Sequence, residues 1–162
     1  IRIFFVRSEE QHFCPICEGV LNSFGRRKRV LIKDDGEKMT LSIRRLRCSI
    51  CGKIHHELPD CLVPYKRYGQ KSIEAVLGEQ NQKLSIAADE STICRWRAWF
   101  ASRVNHFFGC LRSIAFRFKT VVEGYRSRPP KSSLQGIYNL VGNSSNWLAR
   151  VVRPVVNTNN WC

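Results

Sequence analysis

Two Cys-x-x-Cys motifs constrain this chain more than any other feature. Cys14 and Cys17 form the first motif, and Cys48 and Cys51 form the second. A tight turn in each motif directs two sulfur atoms to one point, and two such knuckles supply the four thiolates of a tetrahedral structural Zn²⁺ site. The alternative is free or disulfide-bonded cysteine, but two matched motifs flanking a hairpin favour zinc. The sequence therefore predicts one structural Zn²⁺ ion held by these four cysteines.

The segment between the two motifs has the pattern of a β-hairpin. Residues 29–33 are a β-type run, residues 34–37 contain an Asp-Gly turn signal, and residues 39–46 alternate between apolar and polar side chains. A hairpin between two knuckles is the layout of a zinc ribbon. We therefore expect a ribbon over residues 1–64, with residues 1–6 as an additional strand.

Three histidines lie near the knuckles, and four further cysteines are scattered along the chain. His55 and His56 follow the second motif, and His12 precedes the first, so each is an alternative ligand to one of the cysteines. The other four cysteines have no regular spacing, unlike those of small secreted disulfide scaffolds. They are Cys61, Cys94, Cys110 and Cys162. We expect a cytoplasmic protein, because the chain also shows no signal-peptide core and no run long enough to cross a membrane.

The charge of the chain is strongly positive and unevenly placed. The 162 residues carry a net charge of +14. Beyond residue 90, 11 basic residues stand against one acidic residue, a net +10, which leaves +4 for the first ninety. Such one-signed charge favours a polyanionic partner, either nucleic acid or an anionic membrane surface. We expect double-stranded DNA to be the partner and expect no membrane partner.

The second half of the chain reads as helical. Residues 69–82 predict one helix, Leu84–Ala88 a short second one, and Asp89 or Ser91 can cap a third. From Ile93 onward, apolar residues recur every three or four positions as far as Phe118, with Gly109 as a candidate break. Helix, short helix, turn and helix is the pattern of a helix-turn-helix.

The polar face of the last of these helices carries arginine without acid. No Asp or Glu occurs between Glu90 and Glu123, whereas an ordinary exposed helix face mixes both signs. This favours a DNA-facing surface, with Arg95 as the residue that reads guanine. The predicted fold class is thus α+β: an N-terminal β-hairpin zinc ribbon over residues 1–64, an all-α helix-turn-helix part over 65–120, and a linker with a short helical tail over 121–162. Within that tail, we expect Pro154 to break the apolar run of residues 147–156.

Several segments resemble a known group of proteins. They are Cys14-Pro-Ile-Cys17, residues 44–51, residues 55–60, residues 63–68, residues 91–96 and Trp147-Leu-Ala-Arg150. Together they resemble an uncharacterised bacterial family with a zinc ribbon and a helix-turn-helix, associated with insertion sequences and related to the zinc-binding regions of transposases. The resemblance implies DNA binding connected with mobile elements.

These observations lead to one main functional hypothesis and two alternatives. The main hypothesis is a DNA-binding protein whose zinc is structural and whose contacts come from basic and helix-start residues. Those residues are Arg26, Arg27, Lys28, Arg44, Arg45, Lys66, Arg67, Ser91, Thr92, Arg95 and Arg103. The alternatives are a protein-binding adaptor, with the four tryptophans at its interface and a transposase or another protein as its partner, and a fragment of an active transposase. We expect no enzyme. Metal-dependent strand transfer uses a cluster of carboxylates, and the sequence offers no credible one, since only Glu123 follows Glu90 in the second half. The pair His106 and Cys110 is better explained by packing.

Overall fold

The structure, a computed structural model, describes residues 2–78, 86–118 and 130–161. Its sheet is built around a long hairpin of β2 (Leu21–Ile32) and β3 (Lys38–Cys48), which run antiparallel. A short strand β1 (Ile3–Phe5) pairs in parallel with β3, and β4 (Ile54–His56) pairs with β3 in antiparallel orientation. The predicted hairpin is confirmed, but its strands are longer than the sequence pattern indicated, and β4 was not predicted.

The hairpin turn forms where the Asp-Gly signal placed it. The backbone N–H of Lys33 donates to the carbonyl of Glu37 over 2.9 Å, and the Asp35 carboxylate accepts from the N–H of Glu37 over 2.8 Å. Gly36 has a φ of 85°, a left-handed conformation that glycine adopts without steric cost. The turn therefore fixes the register in which β2 and β3 pair, from Ile32 opposite Lys38 as far as Arg26 opposite Arg44.

The described residues fall into two compact units. The first contains residues 2–72 and 86–87, and the second contains residues 73–78, 88–118 and 130–161. The first unit has a small apolar core below the hairpin. This core consists of Leu31, Leu41, Ile43 and Leu62, with Val6, Met39 and Leu58 packed against it.

Four helices follow the sheet within the described part of the chain. They are α1 (Gln70–Leu77), α2 (Glu90–Arg117), α3 (Ser133–Val141) and α4 (Trp147–Asn157). None of them has the combination of length and apolar character that crossing a bilayer would require. The fold is thus mixed α+β, with a small sheet and four helices, as the sequence predicted at that level.

The predicted short helix over Leu84–Ala88 is not observed where the chain is described. Ile86, Ala87 and Ala88 lie outside any helix, while Leu84 and Ser85 lie outside the described residues. The N–H of Ala87 instead donates to the carbonyl of Asp34 in the hairpin turn over 3.1 Å. This hydrogen bond gives the backbone a partner that a helix would otherwise supply.

The second unit is organised around one aromatic face of α2. Its buried side chains are Trp96, Phe100, Phe107 and Leu111. Phe107 stacks on Trp161, with 5.1 Å between ring centroids, and Phe100 meets Trp147 edge-on at 5.8 Å. Such ring pairs add to the free energy gained by burying apolar area.

Two expectations about helix breaks are wrong. Helix α2 continues through Gly109, and α4 continues through Pro154. Burial explains both, since each helix places several apolar side chains in the core, and that gain exceeds the cost of about 1 kcal/mol for a glycine or about 3 kcal/mol for a proline. The described part of the predicted tail, residues 130–161, is therefore two helices packed in the same unit as α2. Residues 121–129 of that predicted linker lie outside the described residues.

Candidate functional site

The two knuckles have the same backbone conformation. The N–H of Cys14 donates to the carbonyl of Gly19 over 2.8 Å, and the N–H of Cys48 donates to that of Lys53 over 2.9 Å. Each turn places its fifth residue in the left-handed region, with φ of 60° at Glu18 and 70° at Gly52. The two short segments thus project their cysteine sulfurs in equivalent directions.

The hairpin brings the knuckles together, because β2 begins just after the first and β3 ends in the second. All four cysteine sulfurs lie within 4.8 Å of one another. Cys14 and Cys51 Sγ are 3.7 Å apart, and Cys17 and Cys48 Sγ are 3.4 Å apart. Both distances are far above the roughly 2.05 Å of a disulfide. They are close to the approximately 3.8 Å that tetrahedral geometry gives for sulfurs about 2.3 Å from a central Zn²⁺.

The backbone around the sulfurs favours thiolates. Burial raises the pKa of Cys48, but hydrogen bonds from the N–H groups of Cys51 and Ile50 outweigh it and lower this pKa to about 6. At Cys17, a backbone hydrogen bond acts to lower the pKa, but the neighbouring Cys48 sulfur and burial raise it to about 11. Four thiolates this close repel one another unless a cation lies between them. The donor set, its spacing and its charge therefore fit a metal ion.

His55 lies beside the cysteine cluster without belonging to it. Strand β4 places its Nε2 atom 3.4 Å from Cys14 Sγ. Within the described residues, the group close enough to bind one metal consists of the four cysteines. Burial and the charge of Lys53 lower the pKa of His55. In the tautomer with the proton on Nε2, the imidazole can donate to the sulfur of Cys14, as outer partners of metal ligands commonly do.

The other two histidines are not near the sulfurs. His12 Nε2 is 3.3 Å from a carboxylate oxygen of Glu57, and His56 lies beside Arg27 and Arg45. The four-cysteine set predicted from the sequence is thus brought together, and none of the three histidines replaces a cysteine.

Arg44 has a structural partner that the sequence pattern did not reveal. Its guanidinium group donates to both carboxylate oxygens of the buried Glu57, over 2.8 and 2.9 Å. Glu57 also accepts the backbone N–H of Ser8, which ties the N-terminal segment to β3. A bidentate pair in a buried position holds both side chains in place. We therefore do not include Arg44 among the residues available to a ligand.

The other basic residues predicted to contact DNA in the first unit differ in exposure. Arg26, Arg27 and Lys28 are exposed on β2, and Arg45 is half-buried on β3. Arg67 is exposed and Lys66 is half-buried in the segment that follows Pro64, where burial lowers the pKa of Lys66. The hairpin thus presents a basic surface on strands, while the contribution of residues 66 and 67 comes from a separate loop.

The start of α2 is a well-capped helix end. Asp89 is the N-cap, and its carboxylate accepts from the N–H of Thr92 over 2.7 Å and from the Ser91 hydroxyl over 2.6 Å. The exposed Arg95 folds back on this turn and donates to the carbonyl and hydroxyl of Ser91 and to the Thr92 hydroxyl. Arg103 is half-buried two turns further along. Ser91, Thr92 and Arg95 are therefore together at one helix end, and Arg95 can leave its exposed contacts at small cost.

The pair His106 and Cys110 does not form a nucleophile and base. His106 Nε2 lies 2.7 Å from the carbonyl oxygen of Asn160 and 3.5 Å from Cys110 Sγ. Because a carbonyl oxygen only accepts, Nε2 carries the proton and cannot take one from the thiol. The pair joins the C-terminal segment to α2, which agrees with packing.

Comparison with known proteins identifies a family. The chain matches the family described as a domain of unknown function (DUF6431) over residues 14–96, just over half of its length. The chain belongs to the DUF6431 family. The DUF6431 match begins at the first knuckle cysteine and ends at the first buried aromatic residue of α2, so it covers the four-cysteine cluster, the hairpin and Arg95. Searches of curated proteins and of solved structures found no match.

Sequence reasoning missed Phe24, and the set of residues predicted to contact DNA did not include Arg47. Phe24 is an exposed phenylalanine on β2, and Arg45 and Arg47 both lie over its ring, each 5.4 Å from the centroid. The signal was present in the sequence, because Phe24 stands before the run of basic residues and next to Gly25. The sequence alone, however, does not show that Arg45 and Arg47 lie beside Phe24, because this depends on the register of the hairpin.

Proposed function

We propose that this DUF6431 protein binds double-stranded DNA through the basic strands of its ribbon and the first turn of α2. The observation that carries the proposal is the one-signed charge of these elements. The strands β1 to β4 contain no Asp or Glu, and α2 has no acidic residue after Glu90. Surfaces of this kind neutralise phosphates and release counterions.

The metal in this proposal is zinc, and its role is structural. Four thiolates in tetrahedral arrangement are typical of Zn²⁺ or of iron–sulfur chemistry, and two Cys-x-x-Cys knuckles around a hairpin favour zinc. A closed set of four sulfurs leaves no position for a water or a substrate. We therefore propose a DNA-binding protein and not an enzyme, in which zinc holds the basic hairpin in shape.

The reading element in this proposal is the N-terminal turn of α2, as in a helix-turn-helix. Exposed Ser91 and Arg95 and half-buried Thr92 lie on one turn, at the positive end of the helix dipole. Arg95 is the residue expected to pair with guanine in the major groove. The resemblance to the zinc-binding regions of transposases supports a link with mobile DNA elements.

Selection of bound sequences from random duplexes, with the zinc-loaded full chain, tests the proposal. We expect an enriched motif and an affinity that falls steeply with salt. Arg95→Ala should cost about 1–3 kcal/mol and relax preference at one base pair. Lys28→Ala, at an exposed basic position on β2, should weaken all duplexes alike. Duplex binding that is absent, or that ignores salt, would refute DNA binding.

An adaptor that docks on another protein is the second candidate, favoured by the exposed tips of the knuckles. Ile16 and Ile50 occupy the middle of the two motifs and are 42% and 73% exposed. Of the four tryptophans considered from the sequence, Trp96 and Trp147 are buried, while Trp99 and Trp161 are half-buried and Trp161 stacks on Phe107. An apolar contact at the tips would show little salt dependence, which separates it from DNA binding.

A further inference from the structure

A β-bulge directs Phe24 out of the hairpin. The register of β2 against β3 shifts between Ser23, which pairs with Leu46, and Arg26, which pairs with Arg44. Phe24 and Gly25 thus face the single residue Arg45, and Gly25 has a φ of 113°. A Cβ at Gly25 would meet nothing within 4 Å, so the backbone conformation is what requires glycine there. Bulges of this kind re-aim a side chain.

The aromatic ring that the bulge presents is flanked by two positive charges. Phe24 is 45% exposed, and the guanidinium carbons of Arg45 and Arg47 each lie 5.4 Å from its ring centroid. Arg45 is half-buried and Arg47 is exposed. Arg45 on β3 pairs with His56 on β4. Burial, together with the charges of Arg27 and Arg45, lowers the pKa of His56. The ring therefore lies close to two positive charges, and part of it stays exposed to solvent.

The strands that carry Phe24, Arg45 and Arg47 contain no acidic residue that would compete with an anionic ligand. Between Gly19 and Lys33, and again between Lys38 and His56, the sequence contains no Asp or Glu. The buried Glu57 is committed to Arg44. Base stacking on an aromatic ring, with a cationic groove for the backbone, is how proteins bind single-stranded nucleic acid.

We infer that Phe24, Arg45 and Arg47 form a platform for an unpaired base of single-stranded DNA. The base would stack on the exposed part of the Phe24 ring, and Arg45 and Arg47 would contact the phosphates on either side. A base inside a duplex is already stacked on its neighbours, so the platform would select unpaired segments, such as a displaced strand or a strand end. This inference deepens the proposed function and rests on DNA being the polyanion that the protein binds.

Binding to two labelled probes tests the platform, using the full zinc-loaded chain and fluorescence anisotropy. The single-stranded probe is oligothymidylate of about 16 nucleotides, and the duplex probe has the same length. Phe24→Leu keeps an apolar side chain without a π face and should weaken single-strand binding by about tenfold, with less than about a twofold effect on the duplex. Phe24→Tyr keeps the ring and should stay close to the unmodified protein.

Phe116→Leu is the matched control, because Phe116 is another exposed phenylalanine, on α2. It should leave binding to both probes unchanged. Zinc content of each variant reports whether the ribbon is intact. An abasic single strand with the same phosphates serves as a third probe. The unmodified protein should bind it more weakly than oligothymidylate, whereas Phe24→Leu should bind the two strands equally.

The outcomes separate the platform from the proposed function. Duplex binding that depends on Arg95, combined with single-strand binding that ignores Phe24→Leu, would overturn the platform and leave the proposed function standing. Single-strand binding that depends on Phe24, without duplex binding, would support the platform and overturn the duplex proposal. Failure to bind either probe would overturn both. Ultraviolet cross-linking of the unmodified protein to oligothymidylate should place the linked base at Phe24, and a cross-link confined to α2 would contradict the platform.

Discussion

The two units of the molecule reach order by different means. In the ribbon unit, the buried apolar side chains are few, namely a cluster of four aliphatic residues together with Leu46 and Val63, and the hairpin strands carry many exposed basic residues. In the helical unit, α2, α3 and α4 share a core of buried aromatic and aliphatic side chains, including Phe107, Ile137 and Leu148. A small core supplies little free energy, and small domains of this kind commonly depend on a bound metal. We therefore expect the basic surface of the ribbon unit to depend on a bound metal, whereas packing holds the helical unit together.

Removal of the metal should therefore have the largest effect, and in the ribbon unit alone. Chelation, or the double variant Cys48→Ser Cys51→Ser, should unfold the hairpin, because metal binding in such sites supplies about 10–16 kcal/mol of folding free energy. Helical circular dichroism should change little. Elemental analysis and the β-strand NMR signals report the loss. Unfolding of both units upon chelation would contradict the view that only the ribbon unit depends on a metal.

Truncation of the aromatic core should destabilise the other unit. Phe107 is fully buried and contacts the rings of Trp99, Phe100 and Trp161. Phe107→Ala should cost the helical unit about 3–5 kcal/mol in free energy of unfolding, measured by denaturant titration. Phe116→Ala, at an exposed position on the same helix, is the control and should cost little. Zinc content should be unchanged in both variants.

The buried ion pair of the ribbon should matter next. Glu57→Gln leaves the Arg44 charge without its partner and should cost about 3 kcal/mol in the zinc-loaded protein. Burial raises the pKa of Glu57, but hydrogen bonds from Arg44 and Ser8 lower it further, so the net shift is downward. The stabilisation is therefore complete above the unfolded pKa of about 4.3 and is lost as the pH falls through the folded value.

The pH dependence and an exposed ion pair serve as checks on this assignment. The difference in stability between the unmodified protein and Glu57→Gln should shrink as the pH falls below about 4, and taking a difference cancels the loss of zinc common to both. Glu37→Gln breaks the exposed pair with Lys33 in the hairpin turn and should cost less than about 1 kcal/mol. Equal costs for the two variants would show that Glu57 is not a buried charge in solution.

Local patterns in the sequence predicted the features that neighbouring residues determine. The Asp-Gly turn, the Cys-x-x-Cys knuckles and the apolar period of α2 all depend on contacts over a few positions, and each is found in the structure. The pairing of Arg44 with Glu57 and the platform at Phe24 depend on the register of β3 against its neighbours, which no local pattern states.

Residues that break helices in isolation were the main source of error. Gly109 and Pro154 read as stops, yet both helices continue because packing supplies more free energy than the local preference removes. Packing also explains why residues 133–157 were predicted only as a short helical tail. Their apolar side chains are buried in the unit that contains α2, and the sequence does not state that contact. The helix-turn-helix stays a prediction, since residues 79–85 between α1 and α2 lie outside the described part.

The smallest expected effect comes from substitutions in the two knuckles. Both turns have a left-handed residue at the same position, but it is Glu18 in the first and Gly52 in the second. Gly52 has a φ of 70°, and a Cβ there would lie 3.9 Å from Arg47, an ordinary contact, so only backbone strain opposes a side chain. Gly52→Ala should cost about 1–2 kcal/mol. Glu18, at φ of 60°, already bears that strain. Glu18→Gly relieves it but increases the entropy of the unfolded chain by about 0.5–1 kcal/mol, so the net change should lie between zero and about 1 kcal/mol of added stability.

Zinc affinity is the measurement for this pair, because metal binding and folding of the ribbon are one equilibrium. Competition with a chelator should show about a tenfold weaker affinity for Gly52→Ala, since each 1.4 kcal/mol corresponds to a factor of about ten. For Glu18→Gly the affinity should be equal or slightly higher. Each variant is the other's control, because both positions lie one residue after a cysteine ligand in the same turn. A loss of affinity in Glu18→Gly would mean that the Glu18 side chain contributes to the knuckle, and the two turns would then be equivalent in backbone only.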